Sequence, residues 1–588
     1  MTRLAACALL LSVGLVARAA GEALKPILDL HKANKLFDKN EYKAVRAAAA
    51  KVFETRNADV IKDAFGPDHQ TLSAWLEKQK DLKEEFFSAV DPKKDDVRRV
   101  LEIFHDLWKE NPDAVAKYPN LAIAISVVWD QPRHVYDYRP HQRRTKSNLP
   151  DEYEKYGPLD EFRYHVSHAK EIQGKEATNR LEILPYEFLV YVVDHRTPVG
   201  EREWAIKNYL AKRPGLGQIY KEIEYDNEML RTKSEVCKLN GHDYTLADIK
   251  KYGGVCAMQA DFAARVGKSL AVPAAYVGGE SQQQELHAWV MWVEVKSASK
   301  NALNFTLESY GRYRGDNYYT GELHDPQTGV EILDRDMERR LAAAAKDRIG
   351  KRQADLAMEY FADVAATNEF DAKKKIQYLR DALRLSAFNE PAWLELARMA
   401  RDSEATGDNK TAILEQADRL LTVFVQYPDF SWKVGGDLIT VQKDTLNRNR
   451  FYERLAVLYE TAKRPDLACE ARLKWADFLA EEKKHTIAAT GLAQTIKKFP
   501  DEGRYVPKMM DKLKEHCGQF SSGKEYLGKT YLELLRTMNP KRGTDITKYF
   551  IKISGDAVAF FKEEKKNKEA AEVERIRAAA GVNSLTNQ

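Results

Sequence analysis

The segment Lys251–Gly279, "KYGGVCAMQADFAARVGKSLAVPAAYVGG", constrains the fold of this chain more than any other. Gly253 and Gly254 predict a tight turn in which the backbone passes close to its surroundings. The run "CAMQADFAARVGKSL" spaces its apolar residues as a helix does, so it predicts a helix that begins at Cys256 and is ended by Gly267 and Pro273. "AVPAAYVGG" then predicts a strand. The fold must therefore hold a cysteine in the first turn of a helix that leads into a sheet.

A cysteine at the start of a helix predicts thiol chemistry. The free N–H groups and the dipole of a helix N-terminus stabilise a thiolate and supply donors for an oxyanion, so we expect a lowered pKa for the Cys256 thiol. "ELHAWVMWVEV" predicts a strand with His287 near its start. Histidine exchanges protons with a thiol near neutral pH. Cys256 and His287 are therefore the predicted nucleophile and general base.

A third residue is expected to hold the imidazole through its far nitrogen. "KSASKNA" predicts a hairpin loop and "LNFTLESYGRY" the returning strand. If the turn centres near residues 296–299, residues 308–310 lie opposite His287, and Glu308 is the carboxylate within reach. Asp325, in "GELHDPQTG", is the second candidate, and it requires an additional hairpin. We prefer Glu308 as the third residue and retain Asp325 as the alternative.

These motifs resemble the transglutaminase-like superfamily of papain-fold thiol enzymes. Bacterial members carry a glycine-x-cysteine at a helix start, an R-x-x-G-x-x-x-x-P-A helix exit and a histidine-alanine-tryptophan strand. The corresponding residues here are Gly254–Cys256, Arg265 with Gly267, Pro273–Ala274 and His287–Trp289, with the spacing between Arg265 and Pro273 slightly different from the commonest form. The family usually places an aspartate-proline after the strand that follows its histidine. This sequence has Glu308 in that strand and an aspartate-proline only later, at Asp325–Pro326.

The resemblance implies an α+β, papain-like domain that carries out acyl transfer. Cys256 would attack an amide or ester carbonyl, and His287 would take the thiol proton and return it to the leaving amine. Water as the acceptor gives a peptidase or amidase, and a lysine amine gives a crosslinking enzyme; hydrolysis is the less demanding outcome. No metal or organic cofactor is implied. Some members of the superfamily lack a complete triad, so a non-catalytic scaffold that binds a protein or peptide is the alternative.

The N-terminal sequence "MTRLAACALLLSVGLVARAAGEA" predicts a secretory signal peptide at 1–19. It has a basic start at Arg3, an apolar run from Leu4 to Ala17, and Ala17 and Ala19 in the spacing of a cleavage site. No later stretch has about 18 uninterrupted apolar residues, so no other segment is predicted to span a membrane. The mature protein is therefore predicted to be soluble and either secreted or periplasmic.

The rest of the chain divides into four predicted segments. "DDVRRVLEIFHDLWKENPDAVAKYP" has helical spacing, and "DYRPHQRRTKSNLPDEYEKYGPL" is rich in proline and charge without a sustained period. Further on, "LEILPYEFLVYVVD" is apolar and rich in residues typical of strands, whereas "REWAIKNYLAK" predicts a short helix. The predicted segments are an N-terminal helical region at 20–136, a linker at 137–159, a transglutaminase-like domain at 160–345 and a helical region at 346–588.

The last segment resembles tetratricopeptide repeats in one place. "DALRLSAFNEPAWLELARMA" puts Ala382 and Leu385 at the end of one helix, Asn389 in a turn and Trp393 on the face of the next helix. Two more candidate helix pairs follow, but no clean period of about 34 residues links them. An irregular helical array is an equal alternative. Either arrangement offers an extended surface suited to a protein or peptide partner.

Composition and cysteine content exclude several other classes. Lysine and arginine number 93 against 89 acidic residues, a net charge of +4, with the two signs interspersed, which argues against a nucleic-acid or membrane-surface binder. The cysteines after the signal peptide are too few for a disulfide scaffold, although a Cys469–Cys517 bond is one pairing to consider. The set Cys237, His242, Cys256 and His287 matches no compact zinc spacing such as C-x2-C, so no zinc site is predicted.

Overall fold

The structure is a computed structural model that describes residues 22–176, 179–282, 285–298, 303–312, 318–542 and 544–582. The predicted signal peptide at 1–19 lies outside the described residues. By its internal packing the chain divides into two compact units. The first comprises Met1–Gly278, His287–Arg312 and Gly321–Glu395, and the second comprises Gly279–Leu286, Tyr313–Thr320 and Leu396–Gln588. The N-terminal helices thus share a unit with most of the sheet, whereas the sequence predicted separate segments.

A five-stranded sheet confirms the α+β class. The strands are β1 (Ala274–Ser281), β2 (Leu286–Ala298), β3 (Leu303–Tyr310), β4 (Tyr318–His324) and β5 (Glu331–Leu333), in the spatial order β3-β2-β1-β4-β5. The β2–β3 and β4–β5 pairs are antiparallel. The three strands predicted in the middle segment are therefore present as β1, β2 and β3.

Helices make up most of the first unit. Its helix list is 22–32, Tyr42–Arg56, Ala58–Phe65, His69–Lys78, Lys80–Ala89, Val97–Glu110, Pro112–Lys117, Pro119–Val128, Arg139–Thr145, Pro158–Gln173, Arg180–Ile183, Tyr186–Val193, Val199–Tyr209, Leu216–Lys221, Asn227–Arg231, Leu246–Tyr252, Cys256–Ser269, Asp334–Lys346, Arg348–Glu359, Phe361–Thr367 and Ala372–Leu385, with Glu390–Arg401 at its end. The Asp96 carboxylate caps the helix Val97–Glu110 by accepting from the Arg99 N–H.

The second unit is an array of helices with one two-stranded ribbon, Lys541–Arg542 with Asp545–Ile546. Its helices are Asn409–Val423, Pro428–Leu438, Thr445–Thr461, Pro465–Glu481, His485–Lys498, Val506–Cys517, Gly523–Thr537, Lys548–Glu563 and Asn567–Ala580. Pro465–Glu481 packs on the next helix and also on the next but one, as successive helices of a stacked array do. The resemblance to tetratricopeptide repeats stays a prediction.

The cysteines of the second unit are free thiols, so the considered Cys469–Cys517 disulfide is wrong. Each of the two residues is buried on its own helix, where cysteine acts as a small apolar side chain. Within the part of the chain that the structure describes, the helices are too short or too polar to cross a bilayer.

Two stretches of the first unit differ from the sequence prediction. "LEILPYEFLVYVVD", whose composition is typical of strands, forms the helices Arg180–Ile183 and Tyr186–Val193. Phe188 through Val193 are all buried, and burial of this continuous run lets packing override the preference of valine and tyrosine for strands. The segment predicted as a linker at 137–159 contains the helix Arg139–Thr145 and the buried residues Tyr138, Tyr153 and Tyr156, so it belongs to the packed unit.

The helix Cys256–Ser269, hereafter the Cys256 helix, lies in the core of the first unit. Every residue from Ala257 to Ser269 is buried. Its buried charges are paired, because an unpaired buried charge is very costly. Arg265 contacts the Glu201 carboxylate at 2.7 Å, and Lys268 bonds to Asp194. This burial fixes the first turn of the helix, and therefore Cys256, in the fold.

Candidate functional site

The two glycines before Cys256 are required by close contacts. Gly253 has φ +81, and a Cβ there would lie 2.3 Å from the Glu224 carbonyl oxygen. A Cβ at Gly254 would lie 2.5 Å from the Met258 Cβ. The Gly254 N–H donates to that same Glu224 carbonyl at 3.0 Å. The turn therefore needs glycine at both positions, and it delivers the chain to the start of the Cys256 helix.

The Cys256 thiol lies among backbone donors. The N–H groups of Ala257 and Ala288, and its own N–H, lie close to the sulfur and act to lower the pKa of the thiol. The Cys256 and Ala257 N–H groups belong to the first helical turn, where the first bonds within the helix come from Met258 and Gln259 to the Val255 carbonyl. These donors favour a thiolate, or the oxyanion of a substrate that approaches the sulfur.

The contact with Ala288 brings Cys256 to the strand that carries His287. The pairing of β2 with β3 begins at Val290 with Tyr310 and continues toward the hairpin turn. Ala288 lies two residues before the first of these pairs. Its N–H lies close to the Cys256 sulfur, and its carbonyl accepts from the Tyr220 hydroxyl at 3.0 Å. The predicted nucleophile and the strand of the predicted base therefore meet in the fold, although they are far apart in the chain.

Burial outweighs those donors in setting the resting state of the thiol. The pKa of Cys256 is raised, chiefly because burial disfavours the charged thiolate, while the Ala288 N–H and the positive charge of Arg144 act in the opposite direction. The expected lowering of this pKa is therefore wrong. The physical reason for the raised pKa is that the Cys256 side chain is half-buried, and burial disfavours the thiolate.

The His287 ring is held by a backbone carbonyl. Its Nε2 lies 2.6 Å from the Gly311 carbonyl oxygen, and its ring lies 6.4 Å from that of Trp289, the next residue on the same face of β2. The far nitrogen that was expected to bind a carboxylate thus has a carbonyl partner.

Glu308 does not lie where the sequence predicted. In the β2–β3 register it pairs with Trp292, whereas the predicted register placed residues 308–310 opposite His287. The strand β2 continues to Ala298, so the hairpin turns later than expected. Each residue of β2 therefore lies opposite a position of the returning chain about four residues later than predicted. Because successive side chains alternate between the faces of a sheet, Glu308 shares the face of Trp292 and not that of His287.

Asp325 holds the turn between β4 and β5. Its carboxylate accepts from the Thr328 hydroxyl at 2.7 Å and from the Gln327 N–H at 3.2 Å, and it pairs with Arg340 at 3.1 Å. The additional hairpin that this candidate required was expected between Tyr310 and Tyr319, where residues 313–317 lie outside the described residues; the hairpin whose turn holds Asp325 is instead the later one, β4–β5. The carboxylate is nevertheless engaged in the local turn and in its bond to Arg340.

The helix Arg139–Thr145, within the predicted linker, adds residues that the sequence analysis missed. The His141 ring lies 4.7 Å from that of Tyr276 on β1, and the charges of both Cys256 and Arg144 act on the Tyr276 hydroxyl. The Tyr136 hydroxyl lies 2.9 Å from His141 Nε2 and donates to Asp261 at 3.2 Å. Pro140 in the first turn of this helix is the sequence signal that could have predicted it.

One group of side chains within the described ranges has the geometry of metal ligands. The ligand atoms of Asp95, Asp130 and His134 lie within 4.8 Å of one another. Burial, with the nearby Asp130 and Asp91 charges, raises the pKa of Asp95 to about 8. Asp130 accepts from the Asp96 N–H and from His134, which accounts for this geometry without an ion. The group shares no residue with the pair Cys256 and His287.

Comparisons with known proteins give no relatives. No protein-family profile, no curated protein and no solved structure matches this chain.

Proposed function

We propose that this chain is an exported, transglutaminase-like thiol enzyme that transfers acyl groups from protein or peptide amides, and that hydrolysis is its main reaction. The observation that carries the proposal is the meeting of Cys256, at a helix N-terminus, with the strand of His287 through the Ala288 N–H. A nucleophile, a base fixed through one nitrogen and a cluster of backbone donors are the parts that acyl transfer requires.

The resting pair in this proposal is a neutral thiol and a neutral imidazole. As the sulfur attacks the carbonyl carbon and forms the C–S bond, the thiol proton passes to His287. Backbone N–H groups at the first turn stabilise the oxyanion. Collapse breaks the C–N bond, and His287 returns the proton to the leaving amine. Water then hydrolyses the thioester, which releases the acid and restores the thiol.

A chromogenic ester tests this proposal without knowledge of the substrate. We expect p-nitrophenyl acetate to acetylate Cys256, as detected by peptide mass spectrometry, and the acetyl group to be lost with time. His287→Ala should slow acetylation about 100-fold, the scale of general base catalysis. Cys256→Ser should abolish the modified peptide, and Cys237→Ser is the matched control. Acetylation at Cys256 that His287→Ala leaves unchanged would contradict the proposal.

The second candidate is a non-catalytic scaffold that binds a protein or peptide. The raised pKa of Cys256 favours it, because a half-buried neutral thiol is a poor nucleophile on its own. The stacked helices of the second unit offer a surface for such a partner. A chain that fails to acetylate at Cys256 but binds peptides through those helices would support this candidate.

A further inference from the structure

We propose that Arg144 binds a carboxylate of the substrate beside Cys256, so that the preferred acyl donors are acidic peptides. This inference rests on the proposed function, because it names the substrate class of the same site.

The position of Arg144 follows from the helix Arg139–Thr145. Residues three apart lie on the same side of a helix, so Arg144 shares a side with His141. That side faces β1, because the His141 ring contacts the Tyr276 ring. The Arg144 charge acts on Cys256, Tyr276 and His141 alike. The Arg144 Nε bonds to Ser234, which follows the helix Asn227–Arg231, and the Asp226 N–H at the start of that helix donates to the Gly254 carbonyl at 3.1 Å. The guanidinium therefore lies at the edge of the site.

The partner of the Arg144 side chain is a hydroxyl, whereas that of Arg139 on the same helix is a carboxylate. The Arg144 side chain is exposed, and its Nε donates to the Ser234 hydroxyl at 3.0 Å. Among the described residues it forms no ion pair, whereas Arg139 on the same helix pairs with Asp137 at 2.9 Å. A hydroxyl leaves the positive charge of a guanidinium uncompensated. Near a nucleophile, that charge is available to an anionic substrate.

A carboxylate is the anion that suits this arrangement in a peptide substrate. Guanidinium groups bind carboxylates through paired N–H donors, and they keep their charge at every physiological pH. The carboxylate could belong to an aspartate or glutamate side chain or to the C-terminus of a peptide. Both sources present the same chemistry to Arg144, and small blocking ligands distinguish them.

Two alkylating agents of similar size test the proposal in the full chain. Iodoacetate carries a carboxylate and iodoacetamide does not, and labelling of Cys256 is followed by peptide mass spectrometry at about pH 8.5, where the thiol is more ionised. We expect the iodoacetate rate to saturate with concentration and the iodoacetamide rate to rise linearly. Arg144→Gln should lower the ratio of the two rates about fivefold and abolish saturation, a loss typical of one charge-assisted contact. Arg144→Lys should keep part of the effect.

Arg143→Gln is the matched control, because it removes an exposed arginine from the same helix at a position about 100° around the axis. It should leave the rate ratio within about twofold of the unmodified chain. Unchanged circular dichroism shows that the Arg144 variants are folded. A rate ratio that Arg144→Gln does not change overturns the inference. This result is distinct from failure of the proposed function, which is read from acetylation and its dependence on His287.

Blocking ligands identify the source of the carboxylate. N-acetylglutamic acid α-amide carries only the side-chain carboxylate, N-acetylalanine carries only the α-carboxylate, and N-acetylalaninamide carries neither. Protection of Cys256 from iodoacetamide by the first compound alone assigns an acidic side chain, as the proposal expects. Protection by the second alone assigns a C-terminal carboxylate in place of an acidic residue. Equal protection by all three compounds, or by none, overturns the recognition of a carboxylate.

Discussion

His287 Nε2 lies 2.6 Å from the Gly311 carbonyl oxygen. A carbonyl only accepts, so in the neutral ring Nε2 carries the proton and Nδ1 carries the lone pair. Nδ1 is therefore the atom that would take the thiol proton. A backbone carbonyl thus fixes the tautomer, a role that carboxylates or amides often have.

Gly311→Ala should disturb this arrangement directly. Gly311 has φ +92, and a Cβ there would lie 2.9 Å from the Tyr220 ring. We expect unfolding to become easier by about 1–3 kcal/mol and acetylation of Cys256 to slow about tenfold, since the carbonyl must move. Gly581→Ala is the control, because Gly581 has the same φ with no neighbour closer than 3.8 Å. Wild-type acetylation in Gly311→Ala would exclude the carbonyl from this role.

The two carboxylates proposed from the sequence should behave differently on neutralisation. Glu308→Gln should leave acetylation of Cys256 within about twofold, because Glu308 pairs with Trp292 and lies on the other face from His287. Asp325→Asn should weaken the bond to Arg340 and lower the free energy of unfolding by about 1–3 kcal/mol. Urea unfolding and acetylation rates measure both effects. A loss of about 100-fold in Glu308→Gln would restore that residue as the third member.

Alkylation of Cys256 should depend on pH as a buried thiol does. Because burial raises the pKa of Cys256 above its usual value, the thiolate fraction at pH 7 is small and grows only in alkaline solution. The iodoacetamide rate should therefore be low at pH 7 and rise steadily above about pH 9. Peptide mass spectrometry of samples quenched at successive times measures it. Fast labelling that persists to about pH 6 would instead indicate a resting thiolate and imidazolium pair.

The stability of the first unit should fall in mild acid. His195 is buried, and burial together with the Arg202, Lys268 and Arg265 charges holds its pKa well below 6.5. Below about pH 6.5 the unfolded chain binds a proton that the folded chain does not, so the free energy of unfolding falls by up to about 1.4 kcal/mol per pH unit. Urea midpoints at several pH values measure this slope. His195→Gln, which can keep the bond to Thr197, should make it shallower; an unchanged slope would contradict the assignment.

The four described cysteines should titrate as free thiols. Cys237, Cys256, Cys469 and Cys517 form no disulfide in the structure. Under denaturing, non-reducing conditions, Ellman's reagent should detect each of them. In the native chain Cys469 should not react, since it is fully buried and its pKa is well above the usual value. Loss of the Cys469 and Cys517 signals without reductant would indicate the disulfide that the structure lacks.

The sequence determined the elements whose signals are local. Glycines ahead of Cys256, helical spacing after it and alternation in "HAWVMWVEV" were enough to predict the Cys256 helix, β1 and β2, because turn strain and amphipathic periodicity act over a few residues. Those signals also selected Cys256 and His287.

Tertiary structure decided the rest. The β2–β3 register depends on how far β2 runs before its turn, and a shift of a few residues moved Glu308 away from His287. The helix Arg139–Thr145 is short and polar, so its place beside Tyr276 comes from packing and not from a periodic pattern. The helix Tyr186–Val193 forms because burial of nearly all its side chains lets packing decide its conformation. The state of the Cys256 thiol depends on burial, a property of the whole fold that no local motif encodes.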